Sequence, residues 1–343
     1  MSKVLVKLGL LMCLAAGVAG AQTPTAPTPK ARPVPADRSR PPTFPPSPGP
    51  DRGGRDTIEK AMAADPNVAV KLCISEGAVK INGWERNEVR VFVRNGRSFD
   101  FRSLEKDPET GKPNWVWITG ASPAGVSVGP SSQCLAGDSV ELDVPMRASI
   151  GLEARTSGAE IDSVRKVNVK IVEGSISLRN IPGGVSAEAF QGDVSIESSS
   201  GQISLQSTTG NILAFDVKPG QVGELLKART NSGNIALQNV SHRQIEANSI
   251  TGSVSFDGKF LAGGLYNFKT SNGAIRLLLP DDTVCRISAS YGFGTFNSTF
   301  PLEYLTENLS SGGKSFTARI GKADTPNVTL TTSSGSIGIR KQN

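Results

Sequence analysis

Two pairs of carboxylates have the spacing that glycoside hydrolysis requires. Glu160 and Asp162 are separated by one apolar residue, and so are Glu141 and Asp143. Because side chains alternate between the faces of a strand, each pair would share one face at about 6.6 Å, within the range found between glycosidase carboxylates. The same spacing arises wherever the outward positions of a strand are polar. The spacing alone thus does not establish catalysis, and we keep a carbohydrate-active β-helix enzyme that uses these outward carboxylates as the alternative to the binding function inferred below.

The other residue types offer little to catalysis. His242 is the one histidine, which excludes a site built from several histidines, and its polar surroundings Ser-His-Arg-Gln are typical of a solvated loop. Asp281 and Asp282 could bind Ca²⁺ in a turn, but they supply too few of the roughly six to eight oxygens that it takes. No phosphate-binding loop or dinucleotide motif occurs in the sequence. We therefore predict that the protein is not an enzyme and has no catalytic residues, cofactor or metal.

The cysteines predict one disulfide. Removal of a leader that contains Cys13 would leave Cys73, Cys134 and Cys285, an odd number. Cys285 lies on the apolar face of an alternating segment, as a buried thiol does. Cys73 and Cys134 border the part of the chain that lacks repeats, where a covalent link would hold segments without stacked neighbours. We predict a Cys73–Cys134 disulfide, formed in an oxidising compartment, and a free Cys285.

Charge is distributed unevenly along the chain. The 343 residues carry 37 Lys and Arg against 31 Asp and Glu, a net charge of +6. Residues 1–55 hold eight basic and two acidic groups, the whole excess, and the remaining 288 residues are neutral. A nucleic-acid-binding domain usually carries a basic field, so we expect no nucleic-acid partner.

The first 21 residues have the pattern of a secretory signal peptide. Lys3 and Lys7 precede an apolar run over residues 8–18, which ends in Ala19-Gly20-Ala21. A lipoprotein signal at Cys13 is the less favoured alternative, because Met12 stands where a small residue is needed. No run approaches the ~20 apolar residues of a transmembrane helix. We expect an exported protein that is periplasmic, on the outer surface or secreted.

Residues 22–55 are predicted to be a proline-rich, disordered tether. Eleven of the 22 prolines lie between Pro24 and Pro50. Proline fixes φ and removes a hydrogen-bond donor, which favours an extended polyproline II spacer without a core. Its basic residues could also contact an anionic surface. The folded domain is expected to cover residues 56–343.

The start of that domain shows local patterns of several kinds. Thr57–Ala64 is predicted to be a short helix, because Asp65-Pro66 follows it. Alternation over Val68–Ile74 predicts a strand. Asn95-Gly96 lies between the alternating segments Glu88–Arg94 and Arg97–Ser103, which predicts a β-hairpin.

Two tryptophans are spaced to share one face of a strand. Trp115 and Trp117 are two residues apart in an apolar segment that follows a polar loop. Such a pair could form a platform for stacking a sugar, but paired aromatics on one strand more often belong to the core. We therefore expect both indoles to be buried.

The rest of the chain repeats the unit Gly-x-apolar-x-apolar, usually after Ser, Thr or Asn. Successive glycines, counted from a weak first unit at Gly158, are 16, 18, 9, 9, 23, 19, 21 and 62 residues apart. A period near 20 with two strands predicts an all-β β-solenoid, in which stacked short strands share one core, with a β-sandwich as the alternative. The glycines predicted to form the turns are Gly174, Gly192, Gly201, Gly210, Gly233, Gly252, Gly273 and Gly335.

A motif near the start of the domain adds a family resemblance. The stretch Gly83-Trp84-Glu85-Arg86, followed by the repeats, resembles a bacterial family of candidate adhesins with β-strand repeats, the toastrack domains. The resemblance covers roughly Val68–Ile339 and rests most specifically on Gly83, Trp84 and Arg86. It implies a right-handed, single-layered β-helix-like stack on an envelope or secreted protein, with the hairpin as an elaboration of the first coil. It brings no catalytic residues.

The sequence thus predicts an exported, non-enzymatic β-repeat scaffold that binds or adheres at the bacterial cell envelope. An envelope protein or a glycan is the expected partner, and the oligomeric state stays open.

Overall fold

The computed structural model describes residues 57–121, 133–220, 224–310, 313–322 and 325–342. The predicted signal peptide and tether lie outside the described residues. Inside them the chain forms β-strands and no α-helix. The strands are β1 (Thr57–Ala63), β2 (Ala69–Trp84), β3 (Glu88–Arg94), β4 (Phe99–Lys106), β5 (Pro113–Gly120), β6 (Leu135–Pro145), β7 (Ser149–Thr156), β8 (Ala159–Asp162), β9 (Lys166–Glu173), β10 (Ile176–Arg179), β11 (Val185–Gln191), β12 (Val194–Glu197), β13 (Ile203–Thr209), β14 (Ile212–Val217), β15 (Leu225–Ser232), β16 (Ile235–Val240), β17 (Gln244–Thr251), β18 (Val254–Asp257), β19 (Leu265–Asn272), β20 (Ile275–Leu279), β21 (Cys285–Phe293), β22 (Phe296–Ser298), β23 (Glu303–Ser310), β24 (Gly313–Ile320), β25 (Asn327–Ser334) and β26 (Ile337–Lys341).

From β7 to β20, each strand pairs in parallel with the second strand along the chain and not with the next one. β7, β9, β11, β13, β15, β17 and β19 form one run, which we call the odd column. β8, β10, β12, β14, β16, β18 and β20 form the even column. Each coil therefore contributes one strand to each column, and the prediction of an all-β solenoid-like stack is confirmed.

The long strand β2 joins the two columns. Its first half, Ala69 to Glu76, pairs with β7, and its second half, Val79 to Asn82, pairs with β8. The strand pairings of β2 shift register around Gly77, which has a positive φ. This one strand thus takes the place of the two strands that form each later coil. The strand predicted at Val68–Ile74 corresponds to its first half.

The core lies between the inner faces of the columns. Alternate residues of the repeat strands are buried, as in Val185, Ala187 and Ala189 of β11, and they form one continuous apolar cluster. Phe256 of the even column and Phe268 of the odd column meet with ring centroids 5.4 Å apart. Each short strand is stabilised in this way by the coils on both sides, because it could not bury its apolar face alone.

A column of glycines forms one corner of the stack. A Cβ on Gly233 would lie 2.0 Å from the carbonyl oxygen of Gly210, one coil earlier, and its φ of +154° is unfavourable for any other residue. The same close contact with the preceding coil recurs at Gly174, Gly192, Gly210, Gly252, Gly273, Gly294 and Gly335.

Gly201 belongs to the opposite corner, between β12 and β13. Its Cβ would lie 2.7 Å from the backbone nitrogen of Gly184. The two nine-residue intervals, Gly192 to Gly201 and Gly201 to Gly210, therefore run from one corner of the coil to the opposite corner and back. The step of 62 residues before Gly335 holds β21 and β22, which form a further coil with Gly294 at its corner, together with the β23–β24 hairpin.

Both ends of the stack depart from sequence order. β25 and β26 lie between the coil of β19 and β20 and the coil of β21 and β22. At the other end β5 and β6 pair with the outer edge of β2. Antiparallel strands then cover the ends: β4 on β5, β3 on β6, β1 on β3, β24 on β21 and β23 on β24.

Two local predictions at the start of the domain were wrong. Thr57–Ala63 is strand β1, because its backbone pairs with β3, and this tertiary pairing outweighs the helix propensity of Glu, Lys, Ala and Met. Asn95-Gly96 does not join a hairpin: β3 pairs with β1 and β6, whereas β4 pairs with β5. Asn95 has a positive φ of 50°, and the chain bends there as it passes from β3, which pairs with β6, to β4, which pairs with β5.

Candidate functional site

Trp115 and Trp117 lie on the outer face of the stack, and the expectation that they are core residues was wrong. Val116 and Ile118 are buried, and they continue the aliphatic rows of Val70 and Leu72 in register. This places the indoles outward, where their N–H groups can reach water, and leaves Trp115 41% exposed. The platform arrangement that the sequence left as an alternative is therefore present on the surface.

Trp115 lines a recess of about 490 Å³ on the odd column, which we call the N-terminal groove. The groove crosses β5, β2, β7 and β9, where Trp115, Ala69, Ser149 and Lys166 are consecutive partners in register. The groove is open because of Gly151, which lies on the outer face between its neighbours in register, Lys71 and Asn168. A side chain is missing at that position, so the groove has an open floor.

Gly151 is not required by the backbone. A Cβ there would meet Lys71 Cγ at 3.9 Å, an ordinary van der Waals contact, and its φ lies outside the region that favours glycine. A larger side chain would therefore fill the groove without straining the strand.

Positive charge dominates the N-terminal groove. Arg165 is held in place by hydrogen bonds that its guanidinium donates to the Arg147 carbonyl (3.0 Å) and to Ser149 Oγ (2.6 Å). The ionised side chains that line the groove are Lys71, Arg165, Lys166, Lys170 and Glu153.

Ion pairs offset little of this charge. Lys71 Nζ lies 3.7 Å from Glu153 Oε1, and Lys170 Nζ lies 3.2 Å from Glu188 Oε2. All four side chains are about half exposed, and such pairs are worth little because water and salt screen them. The lysines therefore remain available to an anionic ligand.

A second recess, of about 610 Å³, lies on the even column near the other end. Gly338 forms its floor, between Arg276 and Asn297 in register. Its charge is mixed, because Arg276 and Arg340 line it together with Asp257, which accepts a hydrogen bond from the Gln342 side chain at 2.7 Å.

Three of the four carboxylates in the two pairs, Asp143, Glu141 and Asp162, make structural contacts. Asp143 accepts a hydrogen bond at 2.8 Å from Arg90, and Glu141 lies 4.0 Å from Arg94. Both contacts join β6 to its neighbour β3. Asp162 accepts hydrogen bonds from Ser163 Oγ (2.7 Å) and Asn180 Nδ2 (2.9 Å) at a corner of the stack.

Gly83, Trp84 and Arg86 form the corner between β2 and β3. The Trp84 ring has the guanidinium of Arg86 at 5.2 Å and that of Arg90 at 4.7 Å, and its Nε1–H donates to the Glu88 carbonyl. A Cβ on Gly83 would lie 1.6 Å from the Ser163 carbonyl oxygen. Arg90 also donates to Asp143, which raises the pKa of the guanidinium. These contacts give the motif a structural role.

The predicted Cys73–Cys134 disulfide is confirmed. It joins β2 to the residue just before β6 across a separation of 61 residues. Cys285 is a free thiol, and burial raises its pKa to about 12, so it is protonated and unreactive at neutral pH.

His242 is buried, and the expectation of a solvated loop histidine was wrong. Its Nε2 lies 2.8 Å from the Gly201 carbonyl oxygen, and its Nδ1 has no hydrogen-bond partner. The residue lies in the corner between β16 and β17, which packs inward. Burial lowers the pKa of the imidazole, although the Gly201 carbonyl and the charge of Glu224 oppose this.

Asp281 and Asp282 contact lysines. Asp281 lies 2.9 Å from Lys341 Nζ, and Asp282 lies 3.5 Å from Lys259 Nζ. Within the described ranges, no three or more His, Cys, Asp and Glu side chains are grouped as metal ligands would be. The described part of the chain contains no helix long and apolar enough to cross a membrane.

Sequence reasoning missed two features of the outer and inner surfaces. The first is the row of buried hydroxyls at Ser207, Thr230, Ser249, Thr270 and Thr332. Their signal is a Ser or Thr three residues before the turn glycines Gly210, Gly233, Gly252, Gly273 and Gly335. The second is Gly151, whose signal is a glycine at an outward position of an alternating strand.

Comparison with known proteins adds the family. Three solved structures resemble the chain. A candidate cell adhesion protein from Clostridium sporogenes is 14% identical, with a TM-score of 0.27, and the match covers 84% of this chain and 100% of that one. A candidate adhesin from Bacteroides fragilis is 11% identical, with a TM-score of 0.36 and coverage of 84% and 97%. A candidate adhesin from Parabacteroides distasonis is 10% identical, with a TM-score of 0.43 and coverage of 84% and 98%.

No curated protein matches the chain. The model of the family described as Toastrack DUF4097 matches residues 70–340, which is most of the sequence and the whole stack from β2 to β26. The chain belongs to the Toastrack DUF4097 family.

Proposed function

We propose that the protein is an exported, non-enzymatic β-repeat scaffold that binds a partner at the bacterial cell envelope. The observation that carries this proposal is the N-terminal groove. An exposed aromatic ring, an open floor at Gly151 and lysines whose ion pairs are half exposed and weak are arranged on a parallel stack, as a binding site requires. The stack holds these side chains in fixed register without ordering a loop.

Export is supported by two independent features. Residues 1–21 have the pattern of a signal peptide, and the Cys73–Cys134 disulfide is of a kind that persists in oxidising compartments. The proline-rich residues 22–55 would then act as a spacer whose basic groups contact an anionic surface. N-terminal sequencing of the protein from cell fractions tests export: a chain that begins at Gln22 outside the cytoplasm supports it, and an intact Met1 chain in the cytoplasm contradicts it.

A binding role is favoured over glycoside hydrolysis by the contacts of the carboxylates. Asp143 pairs with Arg90, and Asp162 holds Ser163 and Asn180, so these groups stabilise neighbouring strands and corners. A glycan array, followed by assay of each bound glycan for released reducing ends, tests the proposal. Retention without turnover is the expected result. Turnover that is lost in Glu160→Gln or Glu141→Gln would instead establish the enzyme.

A further inference from the structure

We infer that the N-terminal groove binds an acidic polysaccharide, with a sugar ring against Trp115 and its anionic groups on the surrounding lysines and Arg165. The inference rests on the proposed binding function and names the class of ligand. It is carried by three observations: the reach of the groove, its charge and its aromatic wall.

The reach of the groove suits an extended chain and not a single small anion. Trp115, Ala69, Ser149 and Lys166 are partners in register on four successive strands. Neighbouring strands are about 4.8 Å apart, so Trp115 and Lys166 are separated by roughly 14 Å along the stack. A short oligosaccharide segment can bridge that distance, and the open floor at Gly151 lies between its two ends.

The charge of the groove selects an anionic ligand. Lys71, Arg165, Lys166 and Lys170 line it with Glu153 as the single lining carboxylate. This local excess stands out because residues 56–343 are neutral as a whole. A neutral glucan would gain nothing from these cations, whereas carboxylate or sulfate groups on a polysaccharide would form charge-assisted hydrogen bonds with them.

The aromatic wall selects sugar rings over a flexible polyanion. Trp115 presents its indole to solvent at the rim of the recess, and Ser149 and Asn168 add groups that can hydrogen-bond to hydroxyls. A polypeptide of acidic residues could use the lysines but has no flat ring to place on the indole. Stacking on Trp115 therefore separates the two kinds of polyanion.

Isothermal titration of the purified chain with three probes tests the ligand class. The probes are an oligogalacturonate, a neutral dextran oligosaccharide and poly-glutamate. We expect the oligogalacturonate to bind about tenfold or more tightly than either of the others, with an affinity that falls as salt is raised. Equal binding of poly-glutamate, or equal binding of dextran, overturns the inference.

Three substitutions locate the binding site, each with a control elsewhere on the stack. Gly151→Leu fills the floor, Trp115→Ala removes the wall and Lys166→Glu reverses a charge. Each should weaken oligogalacturonate binding by about five- to tenfold or more. The controls outside the groove are Gly338→Leu, Lys269→Glu and Phe215→Ala, the last at an aromatic residue as exposed as Trp115. All three should bind as the unchanged chain does.

The results separate this inference from the proposed function. Unchanged binding by all three groove variants, or equal losses in the controls, overturns the groove as the site. A chain that binds glycans on the array but not the oligogalacturonate refutes the inference and leaves the proposed function standing. A chain that binds nothing on the array and retains no protein from an envelope extract refutes the proposed function itself. Thermal unfolding of every variant shows that any loss comes from a folded protein.

Discussion

Thr230 Oγ1 donates a hydrogen bond to the carbonyl oxygen of Gly210, one coil earlier in the stack, at 2.9 Å. Gly233, three residues after Thr230, packs directly on the same carbonyl. The equivalent hydroxyls of Ser207, Ser249, Thr270 and Thr332 bond to the glycines one coil earlier in the same way. At these five coils the corner combines the two residues of a Ser/Thr-x-x-Gly unit: a glycine for the close approach and a hydroxyl that donates to the carbonyl.

Replacing Gly233 with Ala should destabilise the protein severely. The new Cβ would lie 2.0 Å from the Gly210 oxygen, and a φ of +154° is strained for alanine. We expect a loss of at least about 2 kcal/mol in the free energy of unfolding, measured in urea. Gly338→Ala is the control, because nothing lies within 4 Å of its Cβ position. Similar stability of the two variants would contradict the stacking argument.

Replacing Thr230 with Val should remove one hydrogen bond while keeping the shape of the side chain. The Gly210 carbonyl would lose the hydroxyl of the buried Thr230 as its partner, at a cost of about 1–3 kcal/mol in the free energy of unfolding. Thr329→Val makes the same chemical change at an exposed position of β25 and should cost little. An unchanged urea midpoint for Thr230→Val would show that the hydroxyl is dispensable.

Removing the disulfide should lower stability by about 2–5 kcal/mol, because the link between Cys73 and Cys134 closes a long loop in the unfolded chain. The double variant Cys73→Ala and Cys134→Ala is compared with Cys285→Ala in urea. Mass spectrometry provides a direct check: alkylation of the unfolded chain before reduction should modify neither Cys73 nor Cys134. Labelling of either residue at that stage would refute the pairing.

The stability of the protein should fall as the pH drops below about 6.5. The pKa of His242 is lower in the folded state than in the unfolded state, because burial disfavours the charged ring and Nδ1 has no partner. The contribution of the neutral ring is therefore complete above the unfolded pKa and is lost progressively at lower pH. His242 is the one histidine in the chain, so His242→Gln should flatten this slope between about pH 7 and about pH 5. Parallel slopes for the two proteins in urea unfolding would argue against it.

The repeats could be predicted from sequence because each coil satisfies the same local demands. Alternating apolar residues and a glycine at one corner of the coil recur along the repeats, and they indicate a stack of short strands. The N-terminal part was harder, since its strands are fixed by distant partners. β1 has helix-forming residues yet pairs with β3, and Asn95-Gly96 lies at a bend between strands that pair with different partners, β6 and β5.

The candidate site depends on which face of β5 points outward, and the sequence alone does not decide this. Trp115 and Val116 are neighbours, and both faces of β5 are apolar enough to be core. The choice is made by register with β2, which places Val116 beside Val70 and turns Trp115 to the surface. His242 was misread for a related reason, because a short polar corner can pack inward when its backbone is held by the coils on either side.

The position of β25 and β26 fixes the order in which the protein can be completed. β19 and β21, which lie on the two sides of β25, are both made earlier than the strand that separates them. During synthesis, the polypeptide must leave the position between β19 and β21 vacant, or form this end of the stack late. A chain halted before Asn327 would leave the backbone edges of β19 and β21 unpaired on both sides of the gap, which exposes them to aggregation and proteolysis. Native assembly of this end of the protein therefore waits until the residues of β25 and β26 have been delivered to the compartment in which it folds.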